Sequence, residues 1–330
     1  MKNTVCGCQL KLFGSIRMGL AFKNSDVDLF CGNCKEDLEY WLTKSLEYFS
    51  KNTNQFQLID QCTYKKKIAV ITFTYLKFKR QCDFSFNGPR AVYIAELVEH
   101  LLQMDDRAIQ LMLLIKYWAK LHDFHKLNLP SNGLIFLVIF YLQIKRVLPT
   151  VATLQANLSH EIVDDWNVAF ERQSNRTDNK ESLFRLLGGF FEYFQYFNFA
   201  ELVVSPYVGY PVERQKFLDV SKVPPEFKLY KEHSDAHIQI KVMDVPMCIQ
   251  DPFDHSRNIA DAVKAHQLQK ITEHFNYAAT RHKLSRRKPK VFLRQILMRE
   301  QELFPLVLGG HLIGRGAFIL YLKFLSTFCT

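Results

Sequence analysis

The segment FGSIRMGLAFKNSDVDLF constrains the fold more than any other stretch of the chain. Residues 6–13 (CGCQLKLF) read as a strand that runs into Gly14 and Ser15, and after ten intervening residues DVDLF (26–30) reads as a second strand. Side chains alternate along a strand, so Asp26 and Asp28 share one face, where two carboxylates can converge on hard cations that prefer oxygen ligands. A small Gly-Ser turn lets backbone N–H groups come close to a phosphate, and the Ser15 hydroxyl offers one more donor. Holding two metal ions about 4 Å apart, the spacing of an in-line displacement, calls for a third carboxylate. Asp83 in QCDFSF is the candidate, because alternation puts Gln81, Asp83 and Ser85 on one face and Cys82, Phe84 and Phe86 on the other.

Between these strands, KEDLEYWLTKSLEYF places Leu38, Trp41, Leu42, Leu46 and Phe49 at helical spacing, which gives one apolar stripe to lay on a sheet. Two β-rich runs, IAVITFTYL and KRQCDFSF, complete a small mixed domain assigned to residues 1–88. From Ala91 the texture becomes helical over 91–103, 106–122, 133–146 and 181–196, and SNRTDNKES (174–182) reads as a mobile loop. The expected class is therefore α+β: a mixed-sheet domain, a mainly helical domain over 89–280, and a basic then apolar tail over 281–330. In LLIKYWAKLHDF, Lys116 and Lys120 stand four apart on a helix, so both ammonium groups can reach one triphosphate. The bulky residues around them argue against a merely solvated basic face.

With 43 Lys and Arg against 33 Asp and Glu, the chain carries +10, which suits a polyanionic partner. The N-terminal MKNTVCGCQL has no apolar run of signal-peptide length, so a reducing, intracellular setting is expected. Cys6, Cys8, Cys31 and Cys34 suggest zinc only weakly, since no second pair follows at finger or ribbon spacing; buried thiols are the plainer reading. The stretch RHKLSRRKPK (281–290) has six Lys or Arg and no acid, and reads equally well as a solvated helix end or as an RNA or nuclear-import patch. The lysines at 65–67 are a second candidate for RNA backbone contact. The apolar tail at 316–330 is interrupted by Lys323 and preceded by His311 and Arg315, so no membrane span is expected.

The order G-S, D-x-D, D, K-x-W-A-K and D-P-F-D resembles the terminal uridylyltransferase and cytoplasmic poly(A) polymerase family, within the polymerase-β-like nucleotidyltransferases. The likeness runs from about residue 6 to about residue 275 and takes in MCIQDPFDHSRNIADAV. It implies a catalytic domain of mixed strands and a helical, poly(A)-polymerase-associated domain, with nucleotide and RNA end bound in the cleft between them. By position it assigns Asp26, Asp28 and Asp83 to two Mg²⁺ or Mn²⁺ ions and to catalysis. Gly14 and Ser15 match the phosphate turn, Lys116 and Lys120 the triphosphate lysines, and Ser131 a further phosphate contact. Asp251 and Asp254 fall on acidic positions near the base.

Three positions depart from the family pattern, all on the nucleoside side. Ile94 replaces an Asn that contacts ribose, Asn132 a Tyr that stacks on the base, and Arg257 a His often found in uridylyltransferases. An amide lacks an aromatic face, and a guanidinium is larger and always charged. The implied activity is template-independent addition of nucleotides, uridines from UTP first, to RNA 3′ ends in the cytoplasm, with nuclear entry through 281–290 as the other possibility. Adenylation from ATP is the alternative within that class, and an inactive RNA-binding paralogue the alternative outside it. No RNA-recognition signature appears, so target choice is expected to rest with the cleft, the basic surface or a protein partner.

Overall fold

In the computed structural model, described for residues 9–23, 25–32, 38–62, 70–86, 88–173, 177–234, 240, 242 and 244–298, alternating sequence becomes a five-stranded mixed sheet. Its strands are β1 (Gln9–Phe13), β2 (Val27–Gly32), β3 (Phe56–Cys62), β4 (Val70–Tyr75) and β5 (Arg80–Ser85), in the spatial order β1-β2-β5-β4-β3. All neighbours are antiparallel except β2 and β5, which run parallel. The class is α+β. Cys6, Cys8, Cys34, the lysines at 65–67 and the apolar tail lie outside the described residues, whereas Cys31 is a buried free thiol.

The chain's contacts divide it into two units, the first made of residues up to 103 together with 157–172, the second of 104–156 and residues from 173 onward. In the first unit, helix α1 (Gly14–Arg17) is a single turn, α2 spans Leu38–Lys51 and α3 spans Arg90–Gln103. The stripe read from the sequence puts Trp41 and Phe49 of α2 into a core with Phe56, Phe73, Cys82 and Phe84. Phe49 meets Phe73 at 4.3 Å between ring centroids, and losing that ring would cost about 3–5 kcal/mol.

Helix α3 takes the other sheet face, with Lys11 of β1 reaching over the Tyr93 ring at 5.7 Å. Residues 157–172 join this unit through charge as well as packing. Their hairpin, β6 (Ile162–Val163) and β7 (Trp166–Asn167), turns on Asp164 and Asp165, both at positive φ as a two-residue turn of the right twist requires. Arg90 pairs with Asp164 at 3.4 Å, Arg172 with Glu96 at 2.8 Å, and the Tyr93 hydroxyl donates to Glu161 at 2.8 Å.

The second unit is helical: α4 (Asp106–Leu121), α5 (Ser131–Ile144), α6 (Val151–Gln155), α7 (Leu183–Gln195), α8 (Lys228–Ser234), α9 (Ala265–Leu284) and α10 (Pro289–Leu297), with one short hairpin, β8 (Leu202–Val203) and β9 (Val212–Glu213). The apolar run of α5 is buried on every side from Gly133 to Gln143, which makes it the central helix of the unit. Helices α7 and α9 cross closely because Gly188 has no side chain; a Cβ there would overlap the His282 ring, whose Nδ1 is 2.8 Å from Glu192. The expectation of a mobile loop at 174–182 does not hold for its described part. Arg107 donates to Asn179 Oδ1 at 3.1 Å and to the Glu181 carbonyl at 2.6 Å, while also paired with Asp105 at 2.7 Å.

Candidate active site

The residues singled out in the sequence fall into two groups, one on each unit. On the first unit the parallel register pairs Asp28 with Asp83, the one parallel contact in the sheet. Residues paired in this way project from the same face of neighbouring strands. Asp28 also faces Phe13 of β1, and Asp83 faces Thr72 of β4, so the row Phe13, Asp28, Asp83, Thr72 crosses four strands. The Thr72 hydroxyl donates to Asp83 Oδ1 at 2.8 Å and fixes that carboxylate. Sequence reading missed Thr72, whose only signal is strand register.

Asp26 stands exposed one residue before β2, after a turn in which the Ser25 hydroxyl accepts from the Phe22 N–H at 2.8 Å. Burial and the nearby Asp83 charge both raise its carboxyl above the usual range. That Coulombic link ties Asp26 to the Asp28–Asp83 row. Ordinary strand energetics would not place three acids here, since neighbouring like charges destabilise a sheet. Gly14 sits against the same row, with φ +64°, and a Cβ on it would overlap Asp28 Oδ2. Its glycine is thus required by the carboxylate as well as by the backbone, and Ser15 follows half-buried in α1.

Among the described residues no three His, Cys, Asp or Glu side chains form a ready-made cage for an ion. Open carboxylate sites of this kind suit Mg²⁺, which keeps several waters and takes one or two protein carboxylates plus substrate phosphates. The donor set is all oxygen, and partial burial, then the Asp83 charge, raises the Asp26 carboxyl, both of which a bound cation would offset. The residues therefore fit such an ion.

On the second unit, α4 is capped by Asp105, which accepts from the Arg107 N–H, and presents Lys116 half-buried and Lys120 exposed one turn apart. Leu114 and Ile115 before them and Trp118 and Ala119 between them are buried, and Trp118 stacks on Phe275 at 5.8 Å. Ser131 and Asn132 are exposed in the first turn of α5, where backbone N–H groups have no helical partner. Ile94, on α3 of the first unit, is 5% exposed and belongs to the core.

The loop after β9 and α8 is a buried polar knot. Ser205 Oγ donates to Gln250 Oε1 at 2.6 Å, Gln250 Nε2 to the His255 carbonyl at 2.9 Å, and Asn258 bridges the Ile249 N–H and Met247 carbonyl. Asp251, only 2% exposed, accepts from the N–H groups of Phe253 and Asp254 at 3.0 and 3.1 Å, with Arg257 3.8 Å away. Burial raises its carboxyl. Asp254 is also buried and accepts from the Ser256 hydroxyl at 2.6 Å, whereas Arg257 is largely exposed. Behind them Arg214 donates to the carbonyls of Val242, Val245, Phe199 and Pro246. Gln250, His255, Asn258 and Arg214 went unnoticed in the sequence because each is an ordinary polar residue until the chain folds.

Sequence comparison reaches the same carboxylate region: residues 1–103 match the family described as poly(A) RNA polymerase, mitochondrial-like, central palm domain. The terminal uridylyltransferase cid1 of Schizosaccharomyces pombe is 28% identical over 301 residues, covering 84% of this chain and 70% of that protein. This chain is similar over most of its length to terminal uridylyltransferases and poly(A) RNA polymerases. The poly(A) RNA polymerase cid11 of the same yeast is 24% identical over 283 residues, of which this chain spans 52% of the length. A crystal structure of the Cid1 poly(U) polymerase with Mg and 3′-dATP bound superposes with a TM-score of 0.68 at 26% identity, covering 86% of each chain. Among the described residues no helix is long and apolar enough to cross a membrane.

Proposed function

We propose that this chain adds nucleotides without a template to RNA 3′ ends, with UTP as the preferred donor. The observation that carries the reading is the in-register pair Asp28 and Asp83, with Asp26 electrostatically coupled to it and Gly14 shaped around it. Asp26, Asp28 and Asp83 would hold two Mg²⁺ or Mn²⁺ ions. When bound, the ions neutralise developing charge on the attacking and leaving oxygens. Asp83, oriented by Thr72, would take the proton of the RNA 3′-hydroxyl. Gly14 and Ser15 offer N–H and hydroxyl donors to phosphate, while Lys116, Lys120 and Ser131 offer cations and a hydroxyl to the triphosphate. Positioning and charge complementarity then supply most of the rate.

Base choice falls to Asn132, Asp254 and Arg257, with Asp251 acting through the loop: its buried carboxylate organises the turn that presents the other two. ATP as donor is the second reading, favoured by Arg257 in place of a histidine and by the adenylating relatives named above. Cytoplasmic action, with a protein partner that selects the RNA, belongs to the same proposal. Incubating a 5′-labelled RNA with each NTP in Mg²⁺ or Mn²⁺ and resolving the products tests it. Extension strongest with UTP, lost in Asp83→Asn, is the expected outcome; extension only with ATP moves the reading to adenylation. A folded protein that binds RNA yet extends nothing refutes the enzymatic reading.

A further inference from the structure

The end of α9 and the start of α10 form a surface that the nucleotide site does not use. From residue 274 to 298 the chain carries no acid, yet it places Lys283, Arg286, Arg287, Lys288, Lys290 and Arg294 in solvent. A solvated helix face ordinarily mixes signs, as the first half of α9 does with Glu273 and Lys270. None of these six cations has an ion-pair partner among the described residues, and each is exposed.

An aromatic ring lies among the charges. Tyr196, just past α7, is 75% exposed, and Lys283 reaches it both through its hydroxyl at 3.2 Å and over its ring at 5.1 Å. A second pair, Tyr277 at 40% exposed with the Arg281 guanidinium 4.9 Å from its ring, lies on the opposite flank of α9 and is not part of this surface. Cations that track a phosphate backbone, interleaved with open aromatic faces on which bases stack, are what single-stranded nucleic acid recognises. A patch meant for an acidic protein would not need its ring turned to solvent.

We propose that this α9–α10 surface binds the single-stranded body of an RNA, at a distance from the nucleotide-reading loop. Helix α9 separates the two: its first residue, Ala265, follows that loop, and its twenty residues span about 30 Å. The proposal deepens the RNA-directed function above, but RNA binding without NTP tests it independently of whether any nucleotide is added.

The experiment measures binding of the full chain to a fluorescent single strand of about twenty nucleotides, and to a duplex of equal length, across a salt series. In Arg286→Gln/Arg287→Gln/Lys288→Gln, three lost phosphate contacts should flatten the log–log salt slope by about 2 and weaken binding at physiological salt by tens of fold. Tyr196→Ala should weaken single-strand binding at least fivefold and leave duplex binding nearly unchanged. Both variants should melt as the parent does and extend a trinucleotide at the parent's rate. Unchanged affinity and slope in the triple variant would overturn the proposal, as would equal losses for duplex and single strand in Tyr196→Ala; the first result would reassign the patch to a protein.

Discussion

Replacing Gly14 by alanine isolates the geometric claim on which the active-site reading depends. Gly14 has φ +64°, where an L-residue pays about 1–2 kcal/mol. A Cβ there also overlaps Asp28 Oδ2, and bringing the two to ordinary contact moves the carboxylate by roughly an ångström or more. Misplacement on the order of 1 Å costs about 100-fold in rate. Gly88 provides the matched control, since its φ is +81° but nothing lies within 4 Å of an added Cβ. Both Gly14→Ala and Gly88→Ala should therefore lower the melting temperature by a few degrees, as expected for about 1–2 kcal/mol. Only Gly14→Ala should lose about two orders of magnitude in kcat for RNA extension. A Gly14→Ala enzyme with parental kcat, or a Gly88→Ala enzyme equally impaired, would refute the argument that the missing Cβ seats Asp28.

Burial holds His255 down to about 3, so above pH 6.5 the imidazole is neutral in both folded and unfolded chains. Below 6.5 the unfolded chain binds the extra proton, and stability should fall as pH drops from 6.5 toward 3, by about 2 kcal/mol at pH 5. Thermal melts between pH 5 and 8 check this, and His255→Gln should flatten that limb. Arg214→Met strips donors from four carbonyls behind the 247–260 loop and should destabilise by about 3 kcal/mol or more, read in urea melts; a loss under 1 kcal/mol would show the clamp is dispensable. Thr72→Val keeps the shape but releases Asp83, so kcat should fall about tenfold or more with the nucleotide KM little changed, and an unaltered kcat would remove Thr72 from the site.

The first unit was legible because its chemistry is local. Asp26 and Asp28 share a strand signal, and period-2 alternation in QCDFSF put Asp83 opposite the buried Phe84 before any pairing was known. β3 escaped notice because FQLIDQC follows α2 after a short turn and leaves Leu58 and Ile59 exposed at the sheet edge. In the second unit α4, α5 and α7 announce themselves by apolar spacing, whereas α9 and α10 were masked by their charge. Arg107 turned an apparent loop into an anchored segment through contacts more than seventy residues away, and periodicity carries nothing about such pairs. The same holds for the 247–260 knot, where Gln250, Asp251 and Asn258 satisfy backbone groups that a sequence gives no means of pairing.

That division has a physical reason. Carboxylates in register on adjacent strands are costly for folding, so their presence already points to a cation or a transferred phosphate, whatever the rest of the chain does. Base selection has no such signature. Asp251 and Asp254 are held by backbone N–H groups and a serine within their own loop, as turn-forming aspartates are in any protein, and only Arg257 leaves that loop largely exposed. Arg257→His should then alter the UTP-to-ATP ratio without changing the melting temperature, because the exposed guanidinium contributes little to Asp251 across 3.8 Å. If instead the substitution unfolded the loop and lowered incorporation of both nucleotides equally, Arg257 would be a partner of the buried Asp251 and base choice would have to reside in Asn132.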